Sequence, residues 1–206
     1  HICNVEVTGS IPVRSTKQNN IPGIIMIKKI IQKENPVLRE IAKPVTKEMF
    51  GSDKLAKIIK EMSEALAVSV DGVAIAGPQL GYSLRIFVVS PKAFEIETKE
   101  REIDGLQVKK KPQQLIYINP TITRRSSKKV VLDEGCLSVK EIFGKIERHQ
   151  KVTIEALDGN GKKFSRGASG LIAEIFQHET DHLNGILFID TAKDLIKMTK
   201  KPDEQK

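Results

Sequence analysis

The sequence predicts an α+β fold, in which antiparallel or mixed strands pack on a late central helix and another helix lies nearer the N-terminus. Three observations support this fold. A helical apolar stripe occurs near residues 53–66, several short strand-like runs fill the middle of the chain, and a second helical stripe surrounds residue 178. Runs of strands with helices segregated from them are typical of α+β domains.

The first helix is predicted to begin after Ser52 or Asp53, because either side chain can cap a helix N-terminus. The residues that follow place apolar side chains on one face at helical spacing: Leu55, Ile58, Ile59, Met62 and Leu66. Asp71-Gly72 is a turn signal at which this helix is expected to end.

The strands are predicted from short apolar runs that are separated by turn signals. After the small-residue run Gly72–Gly81, the candidate strands are Leu84–Ser90, Leu115–Pro120, Val130–Ser138 and a hairpin with alternating Val152, Ile154 and Ala156. The hairpin turn is predicted by the sequence DGNG. Residues 92–113 are rich in Lys and Glu and are interpreted as a solvated loop or hairpin.

The late helix is predicted by an apolar stripe that runs into two histidines. Leu171, Ile175, His178 and His182 are spaced four, three and four residues apart, so they share one helix face. Gly185 suits the position just after a helix C-terminus.

The same stretch contains the pattern H-E-x-x-H, formed by His178, Glu179 and His182. Two histidines four residues apart can grip one metal ion, and the intervening Glu can take a proton from a water that the metal holds. The alternative interpretation is a surface helix that carries two histidines and no metal. A catalytic site needs three protein ligands and an open position, so a third ligand has to come from elsewhere in the chain.

The composition limits the classes of protein to consider. The chain has 206 residues, 39% of them hydrophobic, which is enough for one domain with a core. No apolar run approaches the length of a membrane span, and the absence of Trp argues against a base-stacking surface. The net charge of +8 suggests a polyanion nearby, although it can also serve solubility alone. With two cysteines, Cys3 and Cys136, we expect a reducing compartment and a free Cys136 thiolate.

Residues 1–25 show no clear periodicity and are interpreted as a leader, either an expression scar or a targeting remnant. Cys3 and His1 belong to this leader and are not expected to carry chemistry. Residues 26–206 are expected to form one catalytic domain.

Three stretches together resemble the peptide deformylase family: GVAIAGPQ (Gly72–Gln79), EGCLS (Glu134–Ser138) and QHETDHLNG (Gln177–Gly185). They stand in the order that the family shows, and the resemblance extends from about Ile27 to Asp190. It implies that the protein removes the N-formyl group from the starting methionine of new proteins.

The resemblance implies that one divalent metal ion is bound by Cys136, His178 and His182. The family typically uses Fe²⁺, and Zn²⁺, Ni²⁺ or Co²⁺ can occupy the site. The residue types do not select among these metals.

The resemblance also implies roles in catalysis and substrate binding. Glu179 is the general base and then the acid, while Gln79 and the backbone N–H of Leu137 hold the formyl oxygen as it becomes an oxyanion. The substrate is expected to lie against Val73, Ala74 and Gly135.

The chain departs from the family pattern at two places. Ala74 replaces a glycine where the substrate backbone is expected to lie close, and an arginine that often follows EGCLS is absent from Val139–Gly144. Arg148 remains as a structural or rim charge, and Glu134 is expected to be a local hydrogen-bond partner. Asp181 is either an orienting group or a solvated carboxylate, and His149 is expected to be an exposed polar residue.

The expected partners are N-formylmethionyl nascent peptides, with weak ribosome association possible and neither a membrane nor a specific nucleic acid. The lysines Lys193, Lys197, Lys200 and Lys201 share a face if the C-terminal tail is helical. The expected location is the cytoplasm of a bacterial-type cell, or an organelle if residues 1–25 are a targeting remnant. The competing functions are an H-E-x-x-H metalloendopeptidase and a non-enzymatic, basic ribosome- or RNA-binding module.

Overall fold

The structure is a computed structural model that describes residues 27–103 and 115–198. Its α-helices are α1 (Asp53–Ala67), α2 (Pro91–Ile103) and α3 (Gly170–Leu183). Its strands are β1 (Ala74–Ala76), β2 (Ile86–Val89), β3 (Ile116–Arg125), β4 (Lys129–Cys136), β5 (Val139–His149), β6 (Lys151–Leu157), β7 (Lys163–Ser169) and β8 (Lys193–Lys197). The predicted α+β class is therefore confirmed.

The strands form two sheets. The larger sheet has the order β1-β2-β3-β6-β7 and the smaller sheet has the order β4-β5-β8, with antiparallel pairing between the neighbouring strands of each. Helix α3 contacts strands of both sheets, so it holds the late, central position that the sequence predicts. Within the described ranges, none of the helices has both the length and the apolar character that crossing a membrane requires.

Helix α1 begins as predicted, because the Ser52 side chain caps it by accepting a hydrogen bond from the Leu55 N–H at 3.3 Å. The predicted stripe faces inward, with Ile59 half-buried and the remaining members buried: Leu55, Ile58, Met62 and Leu66. This face packs against β1 and β2. The helix ends at Ala67, a few residues before the predicted turn at Asp71-Gly72.

The predicted loop or hairpin over residues 92–113 is wrong at its start, where the chain forms α2. Pro91 occupies the first helical position, and the Ser90 hydroxyl accepts a hydrogen bond from the Lys92 N–H at 3.3 Å. Ala93 and Phe94 anchor the first turn in the core. Lys and Glu are good helix formers on a solvated surface, so the charged composition did not exclude a helix. Residues 104–114 lie outside the described ranges.

The smaller sheet contains two strands that the sequence analysis did not assign. β5 pairs with β4 along its length, and β8 pairs with the first half of β5. Lys193–Lys197 is a strand, so the condition of a helical tail, on which the shared helix face of the tail lysines depended, is not met there. Lys200 and Lys201 lie outside the described residues. β5 was hard to predict because its inward positions include Gly144 and Arg148 instead of a regular apolar series.

The predicted hairpin around DGNG is confirmed as β6 and β7. Its turn closes through Asp158, whose N–H donates to the Lys162 carbonyl at 2.9 Å and whose carboxylate accepts from the Asn160 and Lys162 N–H groups. Gly161 adopts a positive φ of 80°, which suits glycine in such a turn. Strands β6 and β7 complete the larger sheet beneath α3.

Candidate metal centre

Helix α3 carries both histidines of the H-E-x-x-H motif, and His178 and His182 lie one helical turn apart with ring centroids 5.0 Å from each other. The helix stops soon after His182 because Gly185 adopts a positive φ of 75°. A Cβ at Gly185 would lie 2.5 Å from the Arg39 carbonyl oxygen. Both the positive φ and the lack of space for a side chain therefore require glycine here. The predicted C-terminal cap is confirmed.

Cys136 ends β4 and reaches the two histidines from the smaller sheet. Its Sγ lies 3.2 Å from Nε2 of His182, and one ligand atom from each of Cys136, His178 and His182 lies within 4.8 Å of the others. His182 is buried, while Cys136 and His178 are half-buried. The fold therefore brings together the three residues that the sequence resemblance implied as metal ligands.

The orientation of His178 is set by a buried carboxylate. Nδ1 of His178 lies 2.9 Å from Glu134 Oε2, so Nε2 is the ring nitrogen that remains for a metal. Glu134 is 2% exposed, and Arg148 donates to both of its oxygens, at 2.7 and 2.9 Å. The expected role of Glu134 as a hydrogen-bond partner agrees with these contacts.

Arg148 is a buried structural charge and not a rim charge, because it is 7% exposed and also donates to Asp181 at 2.5 Å. Burial alone raises the pKa of Glu134, but the hydrogen bonds from Arg148 and His178 outweigh burial and lower that pKa to about 2. Burial opposes the charge on Arg148, yet its two carboxylate partners raise its pKa above the ordinary value. Glu134 therefore stays ionised across the physiological range.

The two histidines differ in their affinity for protons. Burial lowers the pKa of His178, but its interactions with the nearby Cys136 and Glu134 outweigh that effect and raise the pKa well above the usual value. Burial, together with the nearby His178 charge, lowers the pKa of His182 well below the usual value. In the metal-free site His178 is therefore the histidine that carries the extra, charging proton. A metal ion that binds there would displace this proton, because a ligating imidazole must be neutral.

Glu179 is 4% exposed, and its Oε2 has no hydrogen-bond partner within the described part of the chain. Burial raises the pKa of Glu179 to about 7; the nearby His178 charge opposes this rise, and the charges of Glu134 and Asp181 add to it. A buried carboxyl group with a pKa near neutrality and an unused oxygen suits a general base or acid.

Gln79 lies next to the cysteine and is held at both ends of its amide. Its Oε1 accepts from the Ala76 N–H at 2.8 Å, and its Nε2 donates to the Ser138 hydroxyl at 3.1 Å and to Cys136 Sγ at 3.6 Å. The Ser138 N–H also donates to Cys136 Sγ, at 3.4 Å. Ser138 is fully buried and connects Gln79 with the cysteine, a role that the sequence analysis did not assign.

The residues expected to contact substrate occupy two chain segments. Val73 directly precedes β1, an edge strand of the larger sheet, and Ala74 begins it, 7% exposed and opposite Val89 of β2. Gly135 and Leu137 flank Cys136. Gly135 is exposed, and a Cβ there would lie 2.7 Å from the Phe143 ring.

His149 is not the exposed residue that we expected. It is half-buried, its Nδ1 lies 2.7 Å from the Ser126 carbonyl oxygen, and its N–H donates to the Gln177 side chain at 2.9 Å. The Gln177 amide returns a hydrogen bond to the His149 carbonyl at 3.0 Å. This pair ties the end of β5 to α3 one residue before His178.

The donor set fits a catalytic metal site. One thiolate and two imidazoles are common zinc or iron ligands, and three protein ligands leave one coordination position for water or substrate. The orienting carboxylate on His178 is the kind of outer partner that metal-ligating histidines almost always have.

Comparisons with known proteins agree with this chemistry. The family model described as Polypeptide deformylase matches residues 27–198. Among curated proteins, "Peptide deformylase" of Rhizobium meliloti is 36% identical over 164 residues, covering 80% of this chain and 84% of the relative. "Peptide deformylase 1A, chloroplastic" of Solanum lycopersicum is 36% identical over 161 residues, covering 78% of this chain but only 58% of the relative.

Solved structures show the same similarity. The peptide deformylase from Legionella pneumophila is 36% identical with a TM-score of 0.67, covering 82% of this chain and 87% of that one. The Plasmodium falciparum peptide deformylase, in complex with an inhibitor, is 34% identical with a TM-score of 0.65, covering 81% and 90%. The family match over residues 27–198 spans both sheets and α3, which position the candidate metal centre.

Proposed function

The chain belongs to the polypeptide deformylase family, and we propose that its Cys136, His178 and His182 centre removes the N-formyl group from the N-terminal methionine of newly made proteins. One observation carries the proposal: Cys136 Sγ lies 3.2 Å from His182 Nε2 and 3.6 Å from the Gln79 amide nitrogen. A metal site and an oxyanion donor therefore meet at one sulfur atom. The family match does not favour the metalloendopeptidase or the RNA-binding module.

The proposed reaction is hydrolysis of a formamide. A divalent cation held by the three ligands would polarise the formyl oxygen and lower the pKa of water to about 7. Glu179 would take a proton from the attacking water and return it to the leaving amine, so that the C–N bond breaks and formate and a free α-amine are released. Its buried, unpartnered oxygen supports this role.

We assign the stabilisation of the oxyanion to the Gln79 side chain and the Leu137 N–H. Both lie beside Cys136 in the chain or in space, and Ser138 and Ala76 hold the Gln79 amide in place. Donors that are fixed before the reaction lower the barrier without a reorganisation cost, and loss of one donor typically costs about 2.7 to 4 kcal/mol.

The substrate is proposed to bind along β1 as an added strand, with Val73, Ala74 and Gly135 along its path. β1 pairs on one side with β2 and forms an edge of the larger sheet. An extended peptide can satisfy the backbone groups of such an edge. Together with the proposed reaction, this makes a nascent chain that begins with formylmethionine the proposed partner.

We propose Fe²⁺ as the metal in the cell, with Zn²⁺, Ni²⁺ or Co²⁺ able to replace it. The support is the mixed donor set of one thiolate and two imidazoles, which suits each of these ions. Anaerobic purification followed by elemental analysis tests the proposal, and iron below the content of another metal in active protein would contradict it.

The proposed location is a compartment whose proteins begin with formylmethionine, either a bacterial-type cytoplasm or an organelle. The relatives support both, since they include a bacterial protein and one named as chloroplastic. We further propose that residues 26–206 act as one catalytic domain and that residues 1–25 are a leader.

Weak ribosome association is proposed from charge. The net charge is +8, and the adjoining ends of β3 and β4, with the turn between them, expose four basic residues: Arg124, Arg125, Lys128 and Lys129. Cosedimentation with ribosomes at low salt tests this, with Glu substituted at Arg124 and Arg125 in one variant and at Lys193 and Lys197 in another. Substitution is preferable to deletion of the tail, because deletion removes β8 from the smaller sheet. Absence of wild-type binding would reject the association.

The assay that tests the proposed function uses formyl-Met-Ala-Ser as substrate and measures formate and the free amine. We expect turnover by the metal-loaded wild type, and loss of both metal and turnover in Cys136→Ala. An internally blocked peptide is the control for endopeptidase activity. Cleavage of that peptide without deformylation would contradict the proposal, as would full metal content in the Cys136 variant.

A further inference from the structure

The short segment Ile31–Lys33, which we call the strap, crosses the two chain segments that supply the proposed oxyanion donors. The Ile31 N–H donates to the Gln79 carbonyl at 2.8 Å, and the Lys33 N–H donates to the Ser138 carbonyl at 2.8 Å. The first and last N–H groups of the strap thus bind Gln79, which provides one proposed donor, and Ser138. Ser138 directly follows Leu137, which provides the other proposed donor. The strap spans the gap between the two segments.

Gln32 stands between those two backbone contacts and adds a third. Its side-chain Nε2 donates to the Leu137 carbonyl at 3.2 Å and to the Ile30 carbonyl of its own segment at 3.3 Å. The Gln32 Nε2 therefore links the Ile30 carbonyl, just before the strap, with the Leu137 carbonyl. Gln32 is half-buried, so this hydrogen bond is partly shielded from water.

The strap is also fixed by packing on both sides. Ile30, just before the strap, and Leu137 both pack against the cluster that holds the buried face of α1, whereas Ile31 and Cys136 both pack against the cluster around Leu38 and Val139. Consecutive side chains that enter two different clusters prevent the strap from rotating about its own axis. A displaced strap would disturb the contacts to Gln79, Leu137 and Ser138 together.

We propose that Gln32 is a positioning residue for the deformylation reaction, acting through Leu137 and Gln79 without touching the substrate. The inference rests on the proposed function. Donors that stabilise an oxyanion must lie 2.7 to 3.1 Å from the position that the charged oxygen will occupy, and a misplacement of about 1 Å can cost about 10²-fold. Gln32 restrains the Leu137 carbonyl, and hence the backbone that presents the Leu137 N–H, relative to Gln79.

The first test is Gln32→Met, which preserves side-chain length and loses the N–H donor. We expect kcat on formyl-Met-Ala-Ser to fall about tenfold with KM within twofold, because the lost alignment matters mainly in the transition state. Metal content and thermal midpoint should stay near those of the wild type. Lys29→Met is the matched control, since Lys29 is exposed in the same stretch and should keep wild-type kcat.

Two outcomes of this comparison overturn the proposal. The first is an unchanged kcat in Gln32→Met. The second is a fall in kcat that is accounted for by loss of metal or by unfolding at the assay temperature, which indicates a purely structural role. Gln32→Lys restores N–H groups at the end of a long side chain and should recover kcat to within about threefold of wild type. Activity in Gln32→Lys as low as in Gln32→Met also contradicts the proposal.

A double-mutant cycle with Gln79→Ala separates positioning from independent effects. If Gln32 acts through the pair of donors, Gln32→Met should reduce kcat by less than threefold when Gln79 is already Ala. The same tenfold loss in both backgrounds contradicts the proposal, because it shows that Gln32 acts independently of Gln79.

Amide hydrogen exchange provides a readout that does not depend on turnover. The Lys33 N–H, bound to the Ser138 carbonyl, should exchange at least fivefold faster in Gln32→Met than in wild type or Lys29→Met. Equal exchange in all three proteins overturns the role of Gln32 in holding the strap. A wild type that fails to deformylate formyl-Met-Ala-Ser instead overturns the proposed function, and the exchange result still reports on the strap.

Discussion

Glu134 accepts a hydrogen bond from Nδ1 of His178 at 2.9 Å, and Arg148 holds the same carboxylate from its other side. The bond fixes the ring orientation and leaves Nε2 of His178 available for the proposed metal. We predict that Glu134→Gln, which removes the negative charge, weakens metal affinity about 10- to 100-fold. Competition with a chelator measures the affinity. Glu147→Gln is the control, because Glu147 is exposed and pairs with Lys129; equal affinity in both variants would contradict the assignment.

Arg148 joins Glu134 and Asp181, so its removal leaves a buried carboxylate without its main partner. We predict that Arg148→Met lowers the free energy of unfolding by about 3 to 5 kcal/mol, the usual cost of breaking a buried ion pair. Urea unfolding of the metal-free protein measures the change. The exposed Arg125→Met should change stability by less than about 0.5 kcal/mol. A similar small change in Arg148→Met would show that the ion network contributes little.

The pH dependence of that stability follows from Glu134, whose pKa falls from an ordinary 4.5 to about 2 in the folded protein. A depressed carboxyl pKa stabilises the fold fully above pH 4.5, and this contribution is lost as the pH falls towards 2. The stability difference between wild type and Glu134→Gln should therefore shrink across that interval. Unfolding curves for the metal-free proteins at pH 6, 4 and 2.5 test this, and a constant difference would contradict it.

Glu179 has the opposite effect, because burial raises its pKa to about 7 from an ordinary 4.5. The unfolded chain releases this proton first, so ionisation of Glu179 costs stability as the pH rises from 4.5 to 7. We predict that Glu179→Gln makes the metal-free protein more stable at pH 8, by on the order of 1 to 3 kcal/mol.

The metal-loaded Glu179→Gln variant should retain its metal and lose about 10²- to 10⁴-fold in turnover. Activity above a tenth of wild type would remove Glu179 from the role of base.

Variants at Ala74 and Gln79 distinguish a steric effect on substrate binding from the proposed oxyanion-donor role of the Gln79 amide. Ala74 packs in the core cluster beneath α3, so Ala74→Gly should cost about 1 kcal/mol of stability. It should change kcat/KM on formyl-Met-Ala-Ser by less than tenfold, because the strand keeps its backbone groups. Gln79→Ala should be far worse, by about 10²- to 10³-fold in kcat. A hundredfold gain in Ala74→Gly would indicate that the natural substrate differs from formyl-Met peptides.

The sequence predicted the parts of the site that are local in the chain. His178 and His182 are four residues apart on a helix with a clear apolar stripe, so helical geometry alone places them together. Cys136 comes from a strand of the smaller sheet, and only the resemblance of EGCLS to the family connected it with the histidines. Spacing carries no information on how a strand and a helix dock.

The buried network around Glu134 could not be predicted, because its members come from β4, β5 and α3 and each alone resembles an ordinary surface charge. Arg148 occupies an inward position of β5, which also obscured the alternation of that strand. The strap was missed for a related reason, since its contacts to Gln79 and Ser138 are made by backbone N–H groups that every residue possesses.

The separation of Cys136 from His182, 46 residues along the chain, has a consequence for synthesis of the protein itself. The three proposed metal ligands come together only after α3 has emerged from the ribosome and packed near the end of β4. Until then an emerging chain holds a cysteine without its histidines, and partial chains that end before α3 cannot assemble the centre. Metal binding by this proposed set therefore requires a chain that already includes α3, and the bound metal would join the smaller sheet to α3.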